Sequence, residues 1–502
     1  MQYNSLGMDS NKSIFIEFLS LKLNSVSTLT CSGFLNLFTL LVFGFSAAGV
    51  YTLRSFHKQT TSADDSLLYN YIISSVTVLS LLFFLEFGVV LPSFFSVEGF
   101  FRLGVGASLA NIVFFSLFLL ITPTTLVLLA RSEKLSVFFC FVNFIVLLLV
   151  VIFLTSSTNI IGLVMGYELV FIPSFLIMRR TIYSSSALSA YSVFTVWSVL
   201  GSLVVVSGAV YLVAVLGFDA ILVNNVKTSL STGNLLIISI LFFIGFGVKV
   251  PVWPFHYWLT RVHVEASTGF SIFLSGFLVK AAVYVCWKII VLLGISNINI
   301  IFTCVCLYSV LDGVVKMPLQ TDIKKLVAFA TVFEMGLIYL FILWKPVQSC
   351  AYIYTFCFSH AFLSGLMFYL VDIIYSRTKT RSVDMITGLS VFFPALSKTV
   401  WLFLFIFWGL PFTLKFFIEL WVILTLFASG SSTLFIYVLF ILFMSNVFIT
   451  KTWLQLLYGS PQTKNYQSDL NSWETLMLAY LITMNTLVSI LFTYTFLNNP
   501  WI

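Results

Sequence analysis

Charge is what this sequence has least of. Only 9% of its 502 residues are Asp, Glu, Lys or Arg, against roughly 25% in soluble domains. Hydrophobic residues make up 60% of the chain and mean hydropathy is +1.08, so a water-soluble fold is excluded. Cysteine is nearly as sparse. The seven cysteines include no Cys-x-x-Cys pair, and the closest two, Cys304 and Cys306, lie in an apolar run where buried, unpaired thiols are expected. The four histidines, His57, His256, His263 and His360, stand beside no Rossmann glycine motif, no P-loop and no haem or iron–sulfur ligand spacing. No cofactor or metal is therefore expected in this chain. The 25 Lys and Arg behind the net charge of +7 are scattered, which argues against a nucleic-acid surface. The first thirty or so residues mix Asp9, Lys12, Glu17 and Lys22 with no arginine. That fits neither a signal peptide nor an Arg-rich transit peptide and is consistent with synthesis inside the compartment of residence.

What the chain does contain is a succession of apolar runs, each near the 20 or so residues a bilayer-spanning helix requires. They predict an all-α polytopic membrane protein of about 14 transmembrane helices. Residues 1–32 form an N-terminal lead-in, 33–130 hold three spans, 134–294 five, 298–455 five and 475–497 the last. The seventh span, 233–254, carries Pro251 and Pro254 after Lys249. The twelfth, 396–429, is too long for one straight helix and contains Gly409-Leu410-Pro411. Both are predicted to be interrupted helices. Loops after odd-numbered spans hold most of the Lys and Arg, while the other side carries only Lys12, Lys22, Arg102, Lys227 and Lys345. Positive loops stay where the chain is made, so both termini are expected on the outer side. The 56 phenylalanines suit lipid-facing helices or a biased genome and point to no function.

Five lysines remain inside apolar runs: Lys249, Lys280, Lys288, Lys398 and Lys415. Each costs roughly 3 kcal/mol at a helix centre and so needs a partner, water or a route to the interface. Lys288 and Lys398 are near span ends, where snorkelling suffices. Lys280 is about 16 Å into its helix, too deep to snorkel. Glu86, Glu168, Glu334 and Glu419 are equally misplaced. For Glu86 the simplest reading is a protonated, hydrogen-bonded structural group. Glu168 stands in Glu168-Leu169-Val170-Phe171-Ile172-Pro173 and is expected to pair with Lys249. Burial disfavours an ammonium and a nearby carboxylate restores it, so changing that partnership by about 2.7 kcal/mol moves the protonation equilibrium a hundredfold. That physics supports a proton relay. His256 and His263 support it or merely cap helices, Glu334 carries protons or pairs with Lys280, and Lys415 neutralises Glu419 as an i,i+4 pair or does not.

The stretch Gly247-Val248-Lys249-Val250-Pro251-Val252-Trp253-Pro254-Phe255-His256-Tyr257-Trp258-Leu259, followed by Arg261-Val262-His263-Val264-Glu265-Ala266, resembles the signature of the antiporter-like subunits of respiratory complex I. That family's pattern is lysine, any residue, proline, then His-x-Trp-Leu, then a basic residue, any residue and His-Val-Glu-Ala-Pro. Only the last proline differs, being Ser267. Lys280 falls at the spacing of the family's second lysine, and Gln320-Thr321-Asp322-Ile323-Lys324 and Ser359-His360 are further matches, the motifs covering roughly 160 to 420. Glu419 after the second break, and a chain that ends soon after its last span, are similar to the subunit 4 branch. Two departures stand out: Phe333-Glu334-Met335-Gly336 replaces Ser-His-Met-Gly, and Lys415 replaces a neutral residue.

The resemblance implies two inverted five-helix repeats, in spans 4–8 and 9–13. It implies a subunit of NADH:ubiquinone reductase that passes protons by way of Glu168, Lys249, Lys280, Glu334, His360 and Glu419, supported by His256, His263, Pro251 and Pro411. FMN, iron–sulfur clusters and ubiquinone would sit in other subunits, with subunits 2 and 5 as neighbours. The implied location is the mitochondrial inner membrane, with the termini on the intermembrane-space side. A multi-subunit Na+/H+ antiporter subunit and a non-pumping structural subunit are the rival readings.

Overall fold

A computed structural model describes residues 109–132, 137–157, 159–217, 231–293, 300–344, 350–428, 430–459 and 469–498. The runs at 33–54 and 67–92, with His57 and Glu86, lie outside them. Within the described residues the chain is helical, and the one β feature is an isolated bridge between Asp322 and Ser382. Lipid offers the backbone no hydrogen-bond partners, so each span must satisfy its own amides as a helix. In chain order these are α1 (Leu109–Ser132), α2 (Val137–Ser156), α3 (Ile160–Arg180), α4 (Ser185–Leu216), α5 (Thr232–Lys249) and α6 (Tyr257–Glu265). They continue with α7 (Thr268–Leu293), α8 (Ile300–Lys316), α9 (Ile323–Trp344), α10 (Cys350–Thr378), α11 (Pro394–Phe407), α12 (Leu414–Ala428), α13 (Ser432–Tyr458) and α14 (Ser472–Asn498). Nine of the described helices are long and apolar enough to cross a bilayer.

Both predicted interruptions are present. Helix α5 stops at Lys249, because Pro251 and Pro254 have no amide hydrogen to donate, and α6 restarts at Tyr257. The gap is stitched by the Trp258 indole donating to Val248 O at 2.8 Å and by Trp253 N donating to Ser309 Oγ of α8 at 2.8 Å. The second gap separates α11 from α12, where Gly409 takes φ +67° and Phe412 φ +74° on either side of Pro411. A third irregularity was not expected. Residues Leu274–Leu278 of α7 form a π-helical turn immediately before Lys280, a distortion common at functional sites.

Burial sorts the helices. The most apolar stretch of α9 is entirely enclosed by protein and that of α10 is 94% so, whereas α13 is only 22% buried and α4 28%. The centre therefore consists of α7, α9 and α10, with α4 presenting leucine and valine outward and α13 isoleucine and phenylalanine. Close approach at the rim of this core depends on glycine: a methyl on Gly313 of α8 would meet the Phe333 backbone of α9 at 3.1 Å. At one end of the bundle Arg377 of α10 grips Glu474 of α14 at 2.6 Å and donates to Asp469 O, while the Asp469 carboxylate caps the amides of Ala395 and Leu396 at the start of α11. Cys306 is buried as expected, but Cys304, two residues away and on the opposite side of α8, is exposed.

Candidate functional site

The buried charges gather in clusters. In the first, Lys249 closes α5, where the negative end of the helix favours an ammonium. Its Nζ donates to Ser202 Oγ of α4 at 2.7 Å and lies 3.9 Å from Glu168 Oε2 of α3. Ser202 in turn donates to that same carboxylate oxygen, with Ser198 O at 2.8 Å as its alternative acceptor. The ammonium also stacks on the ring of Phe171, 3.7 Å away, with Tyr167 at 5.2 Å, contacts worth about 0.5–2 kcal/mol when desolvated. The expected Glu168–Lys249 pair is therefore present and mediated by a serine that the sequence did not single out. Gly201 makes room for it, since a methyl there would come within 2.9 Å of Lys249 Cε.

The second cluster lies at the centre of the bundle. Lys280 is 1% exposed; its Nζ donates to Ser275 O, in the π turn, and is 3.2 Å from His360 Nδ1 of α10. With Lys280 as an ammonium, Nδ1 accepts and the imidazole proton falls on Nε2. That nitrogen faces Glu334 Oε2 of α9 at 3.9 Å, a gap that one water or a small closure would span. Ser364 donates to Ser275 Oγ at 3.2 Å beside this group. Among the described residues no hydrogen bond or ion pair joins Lys249 to Lys280.

Glu334 does not pair directly with Lys280. Its other oxygen, Oε1, receives Lys415 Nζ of α12 at 3.3 Å, and the same ammonium is 3.8 Å from Glu419 Oε1. The anticipated i,i+4 pair thus exists, but Lys415 is shared between two carboxylates and held closer to the one 81 residues away. Glu419 is kept near the break, its Oε2 resting 3.1 Å from where a methyl on Gly409 would stand.

Neither supporting histidine caps a helix through its side chain. His256 occupies the N-cap position of α6, but its side chain turns instead to place Nε2 3.4 Å from Asp312 Oδ2 of α8, which is also bound by Lys316 at 2.8 Å. Asp312 is a functional candidate missed in the sequence, where it reads as an ordinary i,i+4 partner of Lys316. His263 is fully buried, stacked on Phe368 at 4.6 Å, with neither ring nitrogen hydrogen-bonded. Pro251 and Pro411 lie within the two breaks. Lys398 is exposed and Lys288 half-buried with Nζ 4.8 Å from the Tyr284 ring, in keeping with a peripheral role for both. Among the described residues no group of three or more His, Cys, Asp or Glu could hold a metal.

Comparison with known proteins places the chain as a whole. The family model described as NADH:quinone oxidoreductase/Mrp antiporter, transmembrane, matches residues 157–450. The NADH-ubiquinone oxidoreductase chain 4 of Paramecium tetraurelia is 36% identical over 334 residues, covering 66% of this chain and 69% of the relative. Among solved structures, a chain of the archaeal membrane-bound sulfane sulfur reductase superposes with a TM-score of 0.72 at 17% identity, over 92% of this chain and 95% of that one. A chain of respiratory complex I from Thermus thermophilus does so at 0.66 and 16% identity, over 90% and 97%. At such identities the superpositions establish the shared fold. With more than half of its length matched by the family model and its buried lysines placed on interrupted and π-distorted helices, this chain belongs to the NADH:quinone oxidoreductase/Mrp antiporter family of membrane proteins.

Proposed function

We propose that the chain is a proton-translocating membrane-arm subunit of respiratory complex I, in which NADH oxidation and ubiquinone reduction elsewhere drive protons through its buried Lys/Glu/His row. The observation that carries this reading is the buried succession from Lys280 to His360 at 3.2 Å and from His360 to Glu334 at 3.9 Å at the centre of the bundle. Ionisable groups are costly there and persist where they move charge. The likeness to chain 4 of Paramecium tetraurelia supports the assignment.

In this mechanism Glu168 and Ser202 hold Lys249 charged, and displacement of that contact releases its proton. Lys280 takes up a proton over water and side chains, and His360 and Glu334 hand it toward Glu419. His256, through Asp312, connects the first break to the more exposed Lys316. FMN, iron–sulfur clusters and ubiquinone belong to the partner subunits. Subunits 2 and 5 are the proposed neighbours, the mitochondrial inner membrane the location, and the intermembrane space the side of both termini. Residues 134–294 and 298–455 are proposed as the two inverted repeats.

The family description also covers Mrp antiporters, so a second reading is a Na+/H+ antiporter subunit. Protons translocated per electron by reconstituted complex carrying Lys249→Ala, with sodium varied, separates the two. Complex I function predicts a reduced ratio independent of sodium. Sodium-driven exchange without redox turnover would favour the antiporter, and an unchanged ratio would leave only a structural role.

A further inference from the structure

We propose that Lys415 itself carries protons between Glu334 and Glu419 and is not a fixed counter-ion; this deepens the relay reading above and rests on it. The ammonium lies 3.3 Å from one carboxylate and 3.8 Å from the other, with the Lys415 and Glu334 side chains only 5% and 3% exposed. Two carboxylates here face one ammonium, Lys280 stands behind Glu334 across His360, and Glu419, 20% exposed, is the member nearest the outside. Two carboxylates sharing a site do not both ionise freely. On this proposal one shared proton rests in the cluster, toward Glu334 or toward Glu419.

Lys415 is built to exchange that proton. It is the second residue of α12, at the positive end of the helix, where a cation is disfavoured; Lys249, at the opposite kind of helix end, has no such destabilisation. The Phe407 ring, 3.4 Å from Nζ, offsets this in part. A cavity of about 10 Å³ touches Glu334, Lys415 and Glu419 between Phe333, Leu337 and Val438, enough for one water or a small swing of the ammonium. His360 faces Glu334 from α10 and is the donor on the inner flank. The step balances within the cluster: a proton leaves Lys415 Nζ for Glu419 Oε1, giving an amine and a carboxylic acid. The amine then takes the proton that His360 has passed to Glu334, restoring the ammonium, and Glu419 releases its proton outward.

The test compares protons per electron in reconstituted complexes carrying Lys415→Arg, Lys415→Gln and Lys249→Ala. Arginine keeps the positive charge but does not deprotonate, so it preserves a counter-ion and blocks a carrier. Lys415→Arg and Lys415→Gln should each lose as much of the ratio as Lys249→Ala, in whatever fraction of complex assembles. A full ratio in Lys415→Arg beside a reduced one in Lys249→Ala would overturn the role of Lys415 while leaving the relay standing. Failure of Lys415→Gln to assemble while Lys415→Arg assembles with a full ratio would likewise mark a structural counter-ion, and a full ratio in Lys249→Ala would remove the relay itself.

Discussion

Ser202 occupies the point where Lys249 and Glu168 meet, accepting from one at 2.7 Å and donating to the other. Hydrogen bonds to charged groups contribute about 1.5–3 kcal/mol, enough to change which state of Lys249 is populated by an order of magnitude or more. Ser202→Ala should therefore lower protons per electron, and Ser202→Thr, which keeps the hydroxyl, should recover most of the loss; equal ratios in wild type and Ser202→Ala would remove the bridge from the mechanism. Gly201→Ala presses on Lys249 Cε from the same helix and should lower the ratio without touching any ionisable group. Little of this was legible beforehand. Ser202 is one serine among many in its span, and nothing in its neighbours marks it. Glu168 and Lys249 were legible, because an ion in an apolar run requires explanation wherever the fold puts it. Glu334 and Lys415 were individually visible, but their pairing was not, since sequence spacing supplies only the i,i+4 neighbour.

Elements add constraints that single residues do not. The two breaks could be read from Pro251 and from Gly409-Leu410-Pro411, since proline withholds a hydrogen bond and glycine alone accepts φ +67° readily. Gly409→Ala should cost about 1–2 kcal/mol for the left-handed backbone and also push Glu419 Oε2. A lowered thermal midpoint with a reduced proton ratio is the expected result. The π turn before Lys280 escaped prediction because no proline or glycine pattern distinguishes an i→i+5 turn from ordinary helix. At the other end of the bundle Arg377, 5% exposed, is held by Glu474 and Asp469. Losing one partner of such a pair costs about 3–5 kcal/mol, so Arg377→Ala should lower the thermal midpoint of the detergent-solubilised complex. Arg377→Met with Glu474→Met should restore part of it; equal midpoints for the single and double variants would contradict the pair.

Across the whole molecule the helix burial and the charge pattern agree. The enclosed helices α7, α9 and α10 carry Lys280, Glu334 and His360, while the outer helices expose apolar side chains. Among the described residues this row holds Lys249, Lys280 and Lys415 with Glu168, Glu334 and Glu419, of which Glu168 and Glu419 at its flanks are 26% and 20% exposed. Lys280 stands between the two ends, with its ammonium against His360. The most direct measurement is protons translocated per electron by reconstituted complex carrying Lys280→Met, which fills the same space without a titratable group. A loss matching that of Lys249→Ala is expected, and a wild-type ratio at normal electron flow would contradict proton passage through this row.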